Sequence, residues 1–242
     1  MAAAVGPDFL SLFGSDVSAI PGVYQQGLQV YGQKGALIHE RLLDEGLIEK
    51  VEKFCAERET SVIAYCGSTI YTSSQSYHTR KIVEYKEPIP TLCQTVGSET
   101  LSSLPNGGHA VHKLILLAED EQLDALRPAL EEEVRGLASI TKAVKGMLEV
   151  LPFGANKGEG VEVLLKHLNA DPRRVVSFGD GENDVEMLKL VGLGVAVNNA
   201  KPLLKDAAAL VLEESNDEQA VARCLRDLVA WDAESGSCSS LP

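Results

Sequence analysis

Ser177-Phe178-Gly179-Asp180-Gly181-Glu182-Asn183-Asp184 is the stretch whose reading decides the fold. Arg173-Arg174-Val175-Val176 leads into it and reads as the start of a buried strand over 174–178. Val185-Glu186-Met187-Leu188-Lys189-Leu190 follows and reads as a helix, so the helical segment is expected over 183–190. Two glycines, two aspartates and an asparagine therefore occupy a tight strand-to-helix turn. In open α/β sheets, ligands bind outside the carboxyl ends of the strands, where such turns lie. Gly179 and Gly181 permit a sharp turn and close backbone approach to a ligand. Asp180 and Asp184 supply hard oxygen ligands of the kind Mg²⁺ takes beside substrate phosphate and water. The competing reading is a loop whose Asn and Asp do no more than cap the next helix. A short motif alone does not separate the two.

The surrounding sequence sets the architecture. Lys157, in Gly154-Ala155-Asn156-Lys157-Gly158, opens a helix to Leu168. After Asp171-Pro172 come strand 174–178, helix 183–190, strand 193–197, a short helix 202–207, strand 209–212 and helix 217–229. Helix and strand alternating at this spacing predict a parallel sheet with right-handed crossovers. Residues 231–242 are small and polar and read as a disordered tail, with Trp231 closing the last helix.

The first part reads differently. Residues 1–22 are loop-like, with a helical turn at Phe9–Phe13. Val23–Gly32 reads as one strand, turning at Gln33-Lys34-Gly35 into a second hairpin arm over 36–42. His39 on that arm reads as a surface residue, since nothing near it completes a metal set. Asp44 caps a helix to Glu57. Strands over 61–65 and 69–72, a helical segment 77–85, a loop over 91–108 and strand 111–117 follow. A helix over 121–133, interrupted at Pro128, then precedes paired strands over 138–144 and 147–151. This is an α+β unit: an open-faced sheet with helices on one side. The expected domains are a residual N-terminal core segment 1–22, an α+β unit 23–151, an α/β unit 152–230 and the tail.

Composition narrows the function. The chain has 242 residues, 45% hydrophobic and 24% charged, enough to bury a core. Its net charge of −13 disfavours nucleic acid and anionic membrane, which are bound chiefly through Lys and Arg. The five cysteines are odd in number and show no zinc or redox spacing, which suits reduced thiols of an intracellular, cytoplasmic protein. No apolar run reaches membrane-span length, and Met1-Ala-Ala-Ala-Val5 resembles neither a signal nor a transit peptide; organellar targeting stays open if sequence precedes Met1.

Lys157-Gly158, then Gly179-Asp180-Gly181-Glu182-Asn183-Asp184 with Met187-Leu188, then Asn198-Asn199-Ala200 stand in this order. Together they resemble the second half of a haloacid-dehalogenase-superfamily phosphatase of the Cof-like, sucrose-phosphatase-like branch with a type IIB cap. The likeness runs from about Pro21 to Val229. It implies an α/β fold: part of a Rossmann-like core with residues 23–151 as an α+β, C2-type cap that closes on the core and chooses the leaving group. It implies that Lys157 holds the transferring phosphoryl group, that Asp180 binds Mg²⁺, and that Asp184 is the second acidic position, orienting Lys157 and the metal's water. Asn183 and Asn199 match polar positions near the phosphate. The implied substrates are small phosphorylated metabolites, sugar phosphates foremost.

The sequence also departs from that pattern. The family's chemistry starts from an Asp-x-Asp-Gly-Thr, whose first Asp attacks phosphorus and whose second is the general acid and base. No Asp-x-Asp occurs in this chain, and the nearest upstream aspartates are Asp8 and Asp16. The family's Asn-Gly is here Gln26-Gly27, and its Gly-Val-Ala-Met is Gly194-Val195-Ala196-Val197. The expectation is a chain inactive by itself, with weak Mg²⁺ binding and an exposed core strand able to pair edge to edge in a homodimer. A truncated form, a shortened isoform and a non-catalytic pseudophosphatase that binds a ligand or protein stay open. An unrelated nucleotide-binding module is disfavoured, because no Gly-x-Gly-x-x-Gly is present.

Overall fold

The computed structural model describes residues 21–142 and 144–235, with side chains to 230. The expected helical turn at 9–13, Asp8 and Asp16 lie outside the described residues. The chain divides into two compact units, residues 1–169 and 170–242.

The first unit opens with β1 (Gly22–Tyr24), β2 (Gln29–Tyr31) and β3 (Leu37–Glu40), a small antiparallel sheet in that order. The single strand expected over 23–32 is in fact two, paired with each other. Gln25, Gln26 and Gly27 all take positive φ, of 50°, 64° and 96°, and fold the chain back on itself. An alternating apolar pattern carries no trace of such a turn, because the residues on either side still alternate in and out.

Next come α1 (Glu45–Ala56), β4 (Ser61–Cys66), β5 (Thr69–Thr72), α2 (Tyr77–Lys81), β6 (Thr91–Leu92), β7 (Lys113–Leu117), α3 (Asp120–Glu133), β8 (Ala138–Thr141) and β9 (Met147–Pro152). The six strands β4 to β9 form one sheet in the order β6-β5-β4-β7-β9-β8. Period-2 alternation in β7 explains its place at the centre. Leu114 and Leu116 join the cluster with Ile48, Val51, Phe54, Leu123 and Leu130 from α1 and α3. Ile115 and Leu117 point the other way, to Ile63, Ile70, Ile82 and Met147. The sheet is therefore not bare on its second face: Ile82, just past α2, covers part of it. Helix α3 also corrects the sequence reading, since it runs through Pro128 without a break. Leu123 and Leu130 are both fully buried in the same cluster, so packing on either side of the proline holds the two turns in line against its local cost.

Helix α4 (Lys157–His167) is the last helix of the first unit, which ends at residue 169. The second unit holds β10 (Val176–Gly179), α5 (Val185–Leu190), β11 (Leu193–Ala196), α6 (Pro202–Ala207), β12 (Leu210–Val211) and α7 (Ala220–Ser235). Its strands are parallel in the order β10-β11-β12. Val185, Leu188, Ala196, Val197, Leu204 and Ala220 form its core. Helix α7 continues to Ser235, so 231–235 are helical rather than part of the expected tail; 236–242 lie outside the described residues.

Candidate active site

The second unit gathers its polar loops at one edge. The segments after β10, β11 and β12 leave the carboxyl ends of adjacent parallel strands, where α/β sheets bind ligands. Asp180 follows β10 directly and is exposed. Its Oδ2 accepts a hydrogen bond of 2.9 Å from Asn216 Nδ2, in the loop after β12. Asn216 Oδ1 accepts from Asn199 Nδ2 at 2.9 Å, and the Asn216 N–H donates to Asn199 Oδ1 at 3.1 Å. One residue thus ties all three loops together. The backbone adds a second tie, from the Lys201 N–H to the Asp180 carbonyl at 3.0 Å.

Asp184 sits differently. It is buried, and its Oδ2 accepts from the Asp180 and Gly181 N–H groups at 3.1 and 3.0 Å. A carboxylate held by two backbone donors fixes the turn that presents Asp180. The glycines are explained by the same loop. A Cβ on Gly179 would stand 2.6 Å from the Asp184 Cβ, and one on Gly181 would stand 2.5 Å from the Asn183 Oδ1. Neither glycine has a positive φ. Their missing side chains make room for Asp184 and Asn183.

Lys157 belongs to the first unit, as the first residue of α4. Asn156 caps that helix, its Oδ1 accepting from the Glu159 N–H at 2.9 Å. Glu159 is clamped by Arg41 at 2.8 Å, and Arg41 also donates to the Phe153 carbonyl at 2.8 Å. The strained turn 25–27 lies against the same helix end. A Cβ on Gly27 would come 2.3 Å from the Asn156 carbonyl oxygen, and one on Gly160 would come 2.7 Å from Gly27 Cα. Two facing glycines bring the turn and the helix into backbone contact, which holds the segment bearing Lys157 in place.

His39 is half-buried rather than on the surface, and its Nε2 is buried with no partner among the described residues. No three His, Cys, Asp or Glu side chains among the described residues are grouped to hold a metal. Asp180 offers an exposed carboxylate with one oxygen tethered and no hydrogen bond to the other among the described residues. Such a donor fits Mg²⁺ held by one or two carboxylates together with substrate phosphate and water. Asn216 was missed in the sequence. The signal was there in the Ser215-Asn216-Asp217-Glu218 capping box after the third parallel strand, where Glu218 Oε2 accepts from the Ser215 N–H and hydroxyl.

Residues 14–225 match the family model described as haloacid dehalogenase-like hydrolase. The chain belongs to this family. A relative named chloroplastic endoribonuclease YBEY, from Arabidopsis thaliana, is 33% identical over 87% of this chain and 36% of its own length. An HMP-PP phosphatase of Yersinia pseudotuberculosis is 37% identical over 49% of this chain and 41% of its own. The chain thus spans well under half the length of these two relatives. Among solved structures, a HAD/COF-like hydrolase from Plasmodium vivax aligns with a TM-score of 0.82 at 23% identity, over 95% of this chain and 78% of that one. The fold is therefore the α/β fold of this hydrolase family. No described helix is long and apolar enough to cross a membrane.

Proposed function

We propose that this hydrolase-family chain carries the cap and the C-terminal half-core of a Mg²⁺-dependent phosphatase acting on small phosphorylated metabolites, sugar phosphates foremost. The single observation that carries the reading is Asp180: an exposed carboxylate at the carboxyl ends of the parallel strands, tethered through one oxygen. In this reading residues 23–151 are the cap, and the core half spans 152–230. Asp180 would hold Mg²⁺, with Asp184 beside it as the second acidic position. Bound there, the metal supplies neutralising charge to phosphate oxygens. Lys157 holds the phosphoryl group as a compact point charge, and Asn183 and Asn199 line the phosphate position. An intracellular setting suits the free thiols of Cys55, Cys66, Cys93 and Cys224.

Without an Asp-x-Asp, the 242-residue chain is expected to show no turnover by itself. Loss of one essential member of a covalent catalytic unit removes on the order of a millionfold in rate. The test is an assay with Mg²⁺, a generic aryl phosphate and a panel of sugar phosphates. Turnover that vanishes in Asp180→Ala would sink the inactivity and point to a replacement nucleophile. Calorimetry with inorganic phosphate tests the site itself: binding is expected to fall in Lys157→Ala, and unchanged binding rejects Lys157 as its holder. The same missing motif favours a second reading, a non-catalytic pseudophosphatase that binds a phosphorylated ligand or a protein. Lys157-dependent binding, with no turnover even when an Asp-x-Asp-bearing segment is supplied, would select it.

A further inference from the structure

The turn between β1 and β2 is built from residues that do not favour it. Gln25 and Gln26 stand at φ 50° and 64°, in the left-handed region that glycine, asparagine and aspartate accept more readily than glutamine. Such residues persist only where the surroundings over-determine them, and they gather at functional sites. For Gln25 the restraint is its own side chain. Its Nε2 donates to the Gly67 carbonyl at 2.7 Å, in the turn between β4 and β5, and to Gln29 Oε1 at 3.1 Å on β2. Asparagine at this position would suit the backbone better, but it is one methylene shorter and would give up the reach to Gly67.

Those two bonds belong to a closed ring. Gln29 Nε2 donates to Glu40 Oε1 at 3.2 Å, and His112 Nε2 donates to the same oxygen at 2.8 Å. The Gly67 N–H donates to His112 Nδ1 at 3.1 Å, and the Gly67 carbonyl returns the ring to Gln25. The His112 side chain is 2% exposed and Gln29 is buried, so water competes little for these bonds. The ring fastens the small sheet to the β4–β5 turn of the six-stranded one. On its other side the turn meets α4. A Cβ on Gly27 would stand 2.3 Å from the Asn156 carbonyl oxygen and 3.4 Å from the Gly160 nitrogen. Backbone packed that closely leaves no slack, so a shift of the turn is a shift of the helix end. Asn156 caps that helix and immediately precedes Lys157.

We propose that Gln25 is a positioning residue for the anion site at Lys157. Its bond to Gly67 fixes the turn 25–27, and the turn fixes the end of α4 through Gly27 and Asn156. The choice of glutamine over a residue that accepts positive φ follows: the turn is set by side-chain reach from the six-stranded sheet, not by local backbone preference. That Lys157 holds phosphate rests on the phosphatase reading; the placing of the helix end by Gln25 does not.

The test uses the full chain, with backbone amide NMR in the absence of ligand and calorimetry with inorganic phosphate at one fixed pH. Gln25→Asn keeps the positive φ accessible and removes only the reach. Gln25→Glu keeps the reach and sets an oxygen against the Gly67 carbonyl. Both are expected to shift the amides of Gly27, Gly67 and 156–159 while those of 114–116, at the sheet centre, stay in place. Both are also expected to weaken Lys157-dependent phosphate binding roughly fivefold, the scale of one lost hydrogen bond. A residue that only stabilised the fold would lower the unfolding midpoint and leave the helix-end amides of the folded chain where they are. If Gln25→Glu fails to fold, Gln25→Asn alone decides. Amides 156–159 unmoved in Gln25→Asn would overturn the positioning role whatever the ligand, and so would Lys157-dependent binding equal to wild type. Phosphate binding that survives Lys157→Ala would strike the phosphatase reading alone, and the ligand-free shifts would still decide the role of Gln25.

Discussion

Asn216 donates its side-chain amide to Asp180 Oδ2 at 2.9 Å across 36 residues of sequence, and with its Oδ1 accepts from Asn199. Its place in the fold makes it the hub of three strand-end loops. Asn216→Ala should cost about 1 kcal/mol of stability, the usual worth of such exposed hydrogen bonds. It should loosen Asp180 and weaken Mg²⁺ binding several-fold, read by calorimetry beside a denaturant titration. Equal Mg²⁺ affinity in the variant would remove Asn216 from the site.

Asp184 is the harder residue to lose. Its Oδ2 satisfies two N–H groups of the turn, that of Asp180 at 3.1 Å, partly buried, and that of Gly181 at 3.0 Å, buried. Asp184→Ala leaves the buried Gly181 N–H unpaired and the Asp180 N–H to water, a loss of roughly 2 kcal/mol. Asp184→Asn keeps a side-chain oxygen and should cost about half as much. Urea unfolding of the three proteins checks the order; an Ala variant as stable as Asn would mean water replaces the carboxylate.

Most of the strand-helix alternation after residue 170 was legible because each element is amphipathic or uniformly apolar and each loop carries Gly, Pro, Asn or Asp. Pro202–Ala207 falls where the sequence placed it. What stayed hidden has physical causes. Three consecutive positive-φ residues at 25–27 include two glutamines, which L-residue sterics do not favour there, so composition gave no turn signal. The Asp180 and Asp184 candidates were visible from their chemistry. Their division of labour, one exposed and one locked in the loop, follows from backbone hydrogen bonds that side-chain patterns do not encode.

The turn at Gly27 should be intolerant. An added Cβ would sit 2.3 Å from the Asn156 carbonyl oxygen on a residue at φ 96°. Backbone strain and overpacking together put Gly27→Ala at about 2–5 kcal/mol. The clash falls at the cap of the helix that bears Lys157, so a folded variant should also bind phosphate less well. Thermal unfolding within a degree of wild type would contradict the close approach.

Acid should weaken the first unit through Glu40. The Gly67 N–H donates to His112 Nδ1 at 3.1 Å, so the proton of the neutral ring lies on Nε2, which meets Glu40 Oε1 at 2.8 Å. That hydrogen bond, first, and the Gln29 amide hold the Glu40 carboxyl below the ordinary Glu value. A depressed carboxyl stabilises the fold fully above its unfolded pKa and loses that share as pH falls through the folded value. The loss therefore belongs below about pH 4.5. Glu40→Gln should be less stable than wild type at pH 7 and show a flatter acid limb. Parallel pH–stability curves for the two proteins would remove Glu40 from the account.

The last prediction concerns the side of β10 away from β11. Among the described residues β10 pairs only with β11, leaving one row of its backbone N–H and C=O groups without a strand. Val175, Val176 and Phe178 there are only half-buried, and Ser177 Oγ is buried without a partner among the described residues. An unpaired apolar edge is a template for another chain. By contrast β7 lies between β4 and β9, with every residue from Lys113 to Leu117 buried. Amide exchange at 176–179 should therefore be faster than at 113–117 by about a hundredfold, since local opening free energy follows buried packing. A second outcome is edge-to-edge pairing: if β10 docks on its counterpart in another copy, exchange at 176–179 should slow as protein concentration rises and the sedimentation coefficient should rise with it. Slow exchange at both strands in a dilute monomer would mean the free row is already paired, and the vulnerability argued here for β10 would not exist.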